Sequence, residues 1–170
     1  MNGKLWAGRF NTGQDNLMEQ FSESISYDKR LYKYDILGSI AHVKMLAKQS
    51  IIDQEEAEKI IDGLRKIERQ IETGEFEFNP QDEDIHMAIE RALINLIGKV
   101  GGKLHTARSR NDQIALDERL FLRDISIEII DRLNGLLKNL ALFAKEHIDV
   151  IIPGFTHMQH AQPILFSHYI

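Results

Sequence analysis

The sequence predicts an all-α protein, and three observations carry that prediction. Proline occurs only at 80, 153 and 163, so residues 81–152 are free of the residue that breaks helices. Apolar side chains recur at helical spacing in four successive segments. Aspartates stand where two of these segments begin, and glycines stand where two of them end. A hydrophobic content of 43% is enough for a real core.

Residues 1–26 are mixed and polar, with Gly3, Gly8 and Gly13, and read as an extended arm. A first helix is expected from Tyr27 to about Gln49, with Leu31, Tyr34, Leu37, Ile40 and Ala41 on its apolar face. Asp53 opens a second, and Glu56 three residues on completes a capping-box pattern. Ala57, Ile60, Leu64, Ile67 and Ile71 form its stripe, and Thr73-Gly74 ends it. Asp82 opens a third, whose acidic first turn (Glu83, Asp84) suits the positive end of the helix dipole. Ile85, Ala88, Ile89, Leu93 and Leu96 make its buried face, and Gly98 stops it.

The fourth helix runs from about Asp112 to His147, with apolar residues from Ile114 through Ile130 and Leu137 to Ala144. At 1.5 Å per residue it is roughly 50 Å long. The three earlier helices are too short to cover it. Either it is kinked, with Gly135 the one weak point, or it is a bundle helix that pairs with further chain or another subunit. Pro153-Gly154 follows its end, and Ala161–Ile170 reads as the first turns of another helix, cut off. Internal repeats and low-complexity tracts are absent.

A formal net charge of −5 argues against non-specific nucleic-acid binding. The absence of cysteine excludes disulfides and thiolate metal sites and suits a cytoplasmic location. The N-terminus lacks the pattern of a secretion signal, and no apolar run reaches the roughly 20 residues that cross a bilayer.

The chemistry concentrates in two stretches. HTARSRNDQ, residues 105–113, overlaps the end of a window from Arg91 to Asn111 that holds five Lys and Arg and no acid. It directly precedes a helix N-terminus, where backbone N–H groups favour an anion. Arg110 supplies a planar fork for a carboxylate, and Ser109 and Asn111 add uncharged hydrogen bonds. The alternative is a solvated basic loop with Asn111 or Asp112 as the helix cap. GFTHMQHAQP, residues 154–163, carries Thr156, His157 and Gln159 at a second joint. Histidine suits proton transfer near neutral pH, although loop histidines are often merely solvated. Two lesser stretches are DEDIH (82–86), where His86 shares a helix face with Glu90, and FSESISYD (21–28), where Ser24 precedes a helix that Ser26 or Asp28 would cap. Two ligands without a third make a metal site weak at His86, and an acid–histidine hydrogen bond fits better. Phosphate loops, nucleophile elbows and HExxH motifs are missing. The remaining chemistry is proton abstraction beside a carboxylate, followed by departure of a leaving group, with electrostatic support for the carbanion.

WAGRF, FSESISYD, DEDIH, LHTARSRNDQ and PGFTHMQHAQPI, in this order, resemble the argininosuccinate lyase family of the fumarase/aspartase superfamily, from Leu5 to the last residue. The resemblance implies a small N-terminal helical domain with its arm (1–111), then the first long helix of a truncated fumarase/aspartase-type bundle (112–170). It implies a homotetramer in the cytoplasm, reversible cleavage of argininosuccinate to fumarate and arginine as the last step of arginine biosynthesis, and neither metal nor organic cofactor. It makes His157 catalytic and places Ser24, Arg110, Asn111, Thr156 and His86 against substrate. Ala107 stands where the family commonly has glycine, which matters if that position needs a positive φ. The family's glycine- and serine-rich loop, whose serine is taken as the base, is not in this sequence, which implies that the 170-residue chain is inactive alone. A helical oligomerisation module without catalysis, or a lyase for a related succinyl substrate, are the alternatives.

Overall fold

The computed structural model describes residues 15–79 and 81–170. In chain order these form α1 (Asn16–Ser22), α2 (Ile25–Asp28), a 3-10 turn (Lys29–Leu31), α3 (Tyr32–Lys48), α4 (Gln54–Thr73) and α5 (Ile85–Ile97). A longer 3-10 segment (Gly98–His105) leads to α6 (Arg110–Glu146), the strands β1 (Ile151–Thr156) and β2 (Gln159–Leu165), and the short α7 (Phe166–Tyr169). The mainly helical fold is as expected; the hairpin was not. The chain divides into two compact units, one ending at Phe121 and one from Leu122 to Ile170.

In the first unit α3, α4 and α5 close around Val43, Leu46, Ile60, Leu64, Ile89 and Leu93, each at most 1% exposed. Asp53 and Glu56 form the expected capping box of α4, and Gly74, at φ 76°, ends that helix. Gly63 allows α4 to approach α5, since a Cβ there would stand 2.6 Å from Leu93 Cδ1.

Four expectations are corrected. The arm is helical at Asn16–Ser22, where Asp15 Oδ1 accepts from Leu17 N at 2.8 Å; residues 1–14 lie outside the described residues. The buried face of α3 is Ile36, Ser39, Val43 and Leu46, while Leu37 is exposed, because a second helical register in the same segment faces the core. α5 starts at Ile85 because Asp84, not Asp82, caps it, accepting from Met87 N at 2.8 Å. Asp82 instead binds Arg91 through both carboxylate oxygens at 2.5 Å. Finally, the helix expected from Ala161 begins only at Phe166.

In the second unit, residues 151–165 fold back antiparallel, with Ile151 opposite Leu165 and Pro153 opposite Pro163. A Cβ on Gly154 would stand 2.8 Å from Gln162 O, so the irregularity beside it needs glycine. Phe143, His147 and Phe166 pack ring against ring. α6 is one uninterrupted helix of 37 residues, passing Gly135 without a break. Ile129, Ile130, Leu133, Leu136 and Leu137 are each more than half exposed, which is the uncovered apolar length the sequence implied. None of the described helices is long and apolar enough to cross a membrane.

Candidate functional site

The N-terminal turn of α5 organises the first unit's polar residues. Ser24 Oγ donates to Asp28 Oδ2 at 2.6 Å, and Asp28 Oδ1 accepts from the backbone N–H of Ile85 at 3.2 Å. Burial pushes the Asp28 carboxyl up, and the bonds from Ser24 and Ile85 offset only part of that. The expected cap by Ser26 or Asp28 is not formed: Ser24 stands at the N-cap of α2 and Asp28 at that of the 3-10 turn, neither with a side-chain cap bond, and Ser24 is tied to Asp28 instead. One residue before α5, Asp84 Oδ2 accepts from Arg110 Nη1 at 2.9 Å. That contact fixes the guanidinium, which is about a quarter exposed, through one of its five donors.

His86, on the first turn of α5, is 4% exposed. Its Nδ1 lies 2.8 Å from Asp35 Oδ1 on α3 and 3.6 Å from Asp117 Oδ2 on α6. Gln113 Nε2 also donates to Asp35 Oδ1. The acid–histidine bond expected at His86 exists, but its partner is Asp35 and not Glu90, whose carboxylate lies 3.8 Å from His105. Burial alone would drive the imidazole down. The hydrogen bond and charge of Asp35, with Asp84 and Asp117 adding, outweigh it and hold His86 above the ordinary histidine range. Asp117 is fully buried, and burial, reinforced by the charge of Asp35, pushes it up to about 7. His86 and Arg108 offset that only in part. Asp35 Oδ2 and both Asp117 oxygens are buried without a donor among the described residues, and a proton on Asp117, in line with its raised carboxyl, would satisfy the pair. Asp35, His86 and Asp117 offer three ligand atoms within 4.8 Å of one another. A proton fits this set better than a cation. Asp35 Oδ1 is already taken by two donors, and the nearby Arg108 guanidinium, bonded to Ser39 Oγ at 2.8 Å, already brings positive charge.

The start of α6 carries the predicted anion loop. Ser109 is its cap: Ser109 Oγ accepts from Asn111 N and Asp112 Oδ2 accepts from Ser109 N, both at 3.3 Å. The helix thus begins at Arg110, ahead of the expected Asp112, and Asn111 is exposed on its first turn. The positive window is partly neutralised by acids outside it, as Arg91 pairs with Asp82, Lys103 with Glu56 and Arg110 with Asp84. Ala107 has φ 54°, the left-handed region that favours glycine. Ala107→Gly is expected to stabilise the first unit by about 1 kcal/mol, read by urea denaturation.

His157 and Met158 form the two-residue turn of the hairpin in the second unit, between the paired Thr156 and Gln159. Their φ values are 51° and 58°, both left-handed, where Asn-Gly is the usual choice. Thr156 Oγ1 lies 2.8 Å from His157 Nδ1. Thr156, His157 and Gln159 are exposed. The structure thus links Ser24, His86, Arg110 and Ser109–Asn111 in one unit and keeps Thr156, His157 and Gln159 together in the other.

Residues 8–170 match the family described as Lyase. The chain belongs to that lyase family. The lyase chain is 56% identical over 167 residues to an argininosuccinate lyase of Nitratiruptor, covering 98% of this chain and 36% of that protein. It is 55% identical over 170 residues to one of Heliobacterium mobile, covering all of this chain and 37% of that protein. The lyase chain therefore spans about a third of the length of these relatives. Among solved structures it is similar to an EDDS lyase variant with bound fumarate, at TM-score 0.70 and 29% identity, over 94% of this chain and 32% of that one. An EDDS lyase in complex with formate aligns at the same TM-score and 30% identity, over 93% and 32%.

Sequence reasoning missed Asp35, Ser39, Gln113 and Asp117. A signal existed: Asp35 and Ser39, like Gln113 and Asp117, are polar pairs spaced i and i+4 among apolar neighbours, where a stripe should be buried.

Proposed function

We propose that this chain is the N-terminal part of an argininosuccinate lyase, catalysing reversible elimination of argininosuccinate to fumarate and arginine. The supporting observation is the 56% identity to an argininosuccinate lyase across 98% of the chain. In this reading Arg110, Asn111, Ser109 and Ser24 hold carboxylate oxygens of the succinyl portion. Arg110 keeps donors for a substrate while Asp84 fixes its orientation. A base removes the proton beside a carboxylate, and the electron pair is stabilised as that carboxylate takes on carbanion character. The C–N bond then breaks, the pair forms the double bond of fumarate, and nitrogen leaves as arginine. His157, backed by Thr156, supplies or supports the proton the leaving nitrogen receives, with Gln159 orienting the ligand, and His86 is a further substrate contact. The whole enzyme would be a cytoplasmic homotetramer of arginine biosynthesis, with α6 in its bundle. The exposed apolar residues of α6 favour that association, and they equally suit a helical oligomerisation module without catalysis.

Ligand binding separates the two. Millimolar fumarate or argininosuccinate is expected to raise the melting temperature of the chain, and Arg110→Gln is expected to remove the shift. An unchanged melting temperature with both ligands would favour the oligomerisation module. Fumarate release by the 170-residue chain alone is expected to be absent.

A further inference from the structure

We propose that Asp35 and Asp117 are positioning residues for His86: they fix the imidazole with its proton on Nδ1 and leave Nε2 as the atom that meets the ligand. This inference rests on the lyase reading only in giving Nε2 a ligand to meet.

The geometry is specific. The two ring nitrogens of histidine lie on different edges, and a bond at one dictates the state of the other. Here Nδ1 faces a carboxylate oxygen at 2.8 Å, with a second carboxylate at 3.6 Å behind it. A deprotonated Nδ1 would aim its lone pair at that negative oxygen, so the proton belongs on Nδ1. Asp35 cannot swing away, because Gln113 Nε2 donates to the same oxygen and the side chain is 1% exposed. Asp117 closes the back of the cluster, and a proton shared with Asp35 keeps two buried carboxyls from carrying two full charges. The groups acting on His86 are therefore Asp35 from α3, Asp28 from α2, Asp84 at the cap of its own helix and Asp117 from α6, with Arg108 beside Asp117. The elements that hold this imidazole are those that hold Ser24 and Arg110, through Asp28 and Asp84 at the start of α5. A histidine with only a packing role would have no need of that coupling.

Nitrogen-15 NMR of the histidine rings in the 170-residue chain tests this. In wild type at alkaline pH the neutral His86 is expected as the Nδ1–H tautomer, the opposite of the form free histidine favours in water. Asp35→Asn keeps an oxygen acceptor but loses the charge, and is expected to lower the His86 titration midpoint by about one pH unit or more. Asp117→Asn is expected to retain the Nδ1–H tautomer. Should Asp35→Asn fail to fold, the wild-type tautomer decides. Fumarate is expected to move the His86 Nε2 resonance while Nδ1 keeps its proton, an effect a purely structural histidine would not show. An Nε2–H tautomer in wild type, or an unmoved midpoint in folded Asp35→Asn, would overturn the assignment. Loss of the Nδ1 proton on adding Zn2+ alone would also overturn it and make the cluster a cation site. Fumarate shifts at Arg110 with Nε2 silent would sink the positioning role and leave the lyase reading standing. No fumarate shift anywhere would count against the lyase reading itself.

Discussion

Replacing Asp117 by asparagine is expected to make the first unit more stable, and by clearly more at pH 8 than at pH 5. Asp117 is fully buried and pushed up to about 7 from its ordinary 3.8. Its folded form therefore holds a proton that the unfolded chain has released. The stabilisation this brings is complete below pH 3.8 and is lost as pH rises through about 7, because deprotonation then opposes folding. His86 is also held above its ordinary 6.5, so its contribution likewise disappears as pH rises beyond that value. Both groups make mild acid favourable, against the usual behaviour of salt-bridged carboxylates. At about 1.36 kcal/mol per pKa unit, the penalty at pH 8 is on the order of 4 kcal/mol. The substituted side chain would carry no charge, and its amide would offer Asp35 a permanent donor in place of the shared proton. Urea denaturation between pH 5 and 8 is the measurement. Parallel pH profiles for parent and variant would refute the buried-acid assignment.

Leu64→Ala is expected to cost about 2–5 kcal/mol, the range for a leucine removed from a core that cannot collapse around the gap. Leu64 is fully buried between α4 and its neighbours, in a layer already drawn tight by Gly63 against Leu93. Thermal unfolding should show a drop of at least about 10 °C for a unit of this size. The same change at Leu133, which is 52% exposed, should cost under about 0.5 kcal/mol in the monomeric protein. Similar losses at both positions would mean that α6 is covered in solution.

The helices were legible because their signals are local. The stripe of α4, its capping box and Gly74 are all short-range patterns, and the structure keeps each. The length of α6 followed from the absence of proline between 81 and 152. The hairpin at 151–165 was illegible for physical reasons. Pro153 and Pro163 argue against strands, and a His-Met pair lacks the Asn-Gly signature of a tight turn. Its residues are mostly exposed, so no buried alternation marks them. At the site, Ser24, His86 and Arg110 stood out by motif. Their partners did not, because the bonds from Asp35 to His86 and from Ser39 to Arg108 join residues 51 and 69 positions apart. The effect of Ala107 turned on its φ of 54°, a quantity set by the surrounding fold.

Joining this chain at Ile170 to the remaining two-thirds of the Nitratiruptor argininosuccinate lyase, and following fumarate formation from argininosuccinate, decides whether Arg110 and its neighbours belong to a lyase site. The chimera is expected to turn over within about tenfold of the parent enzyme, and Arg110→Gln within it to lower kcat/KM by about a hundredfold. A folded chimera that releases no fumarate would contradict the assignment of these residues to a lyase site.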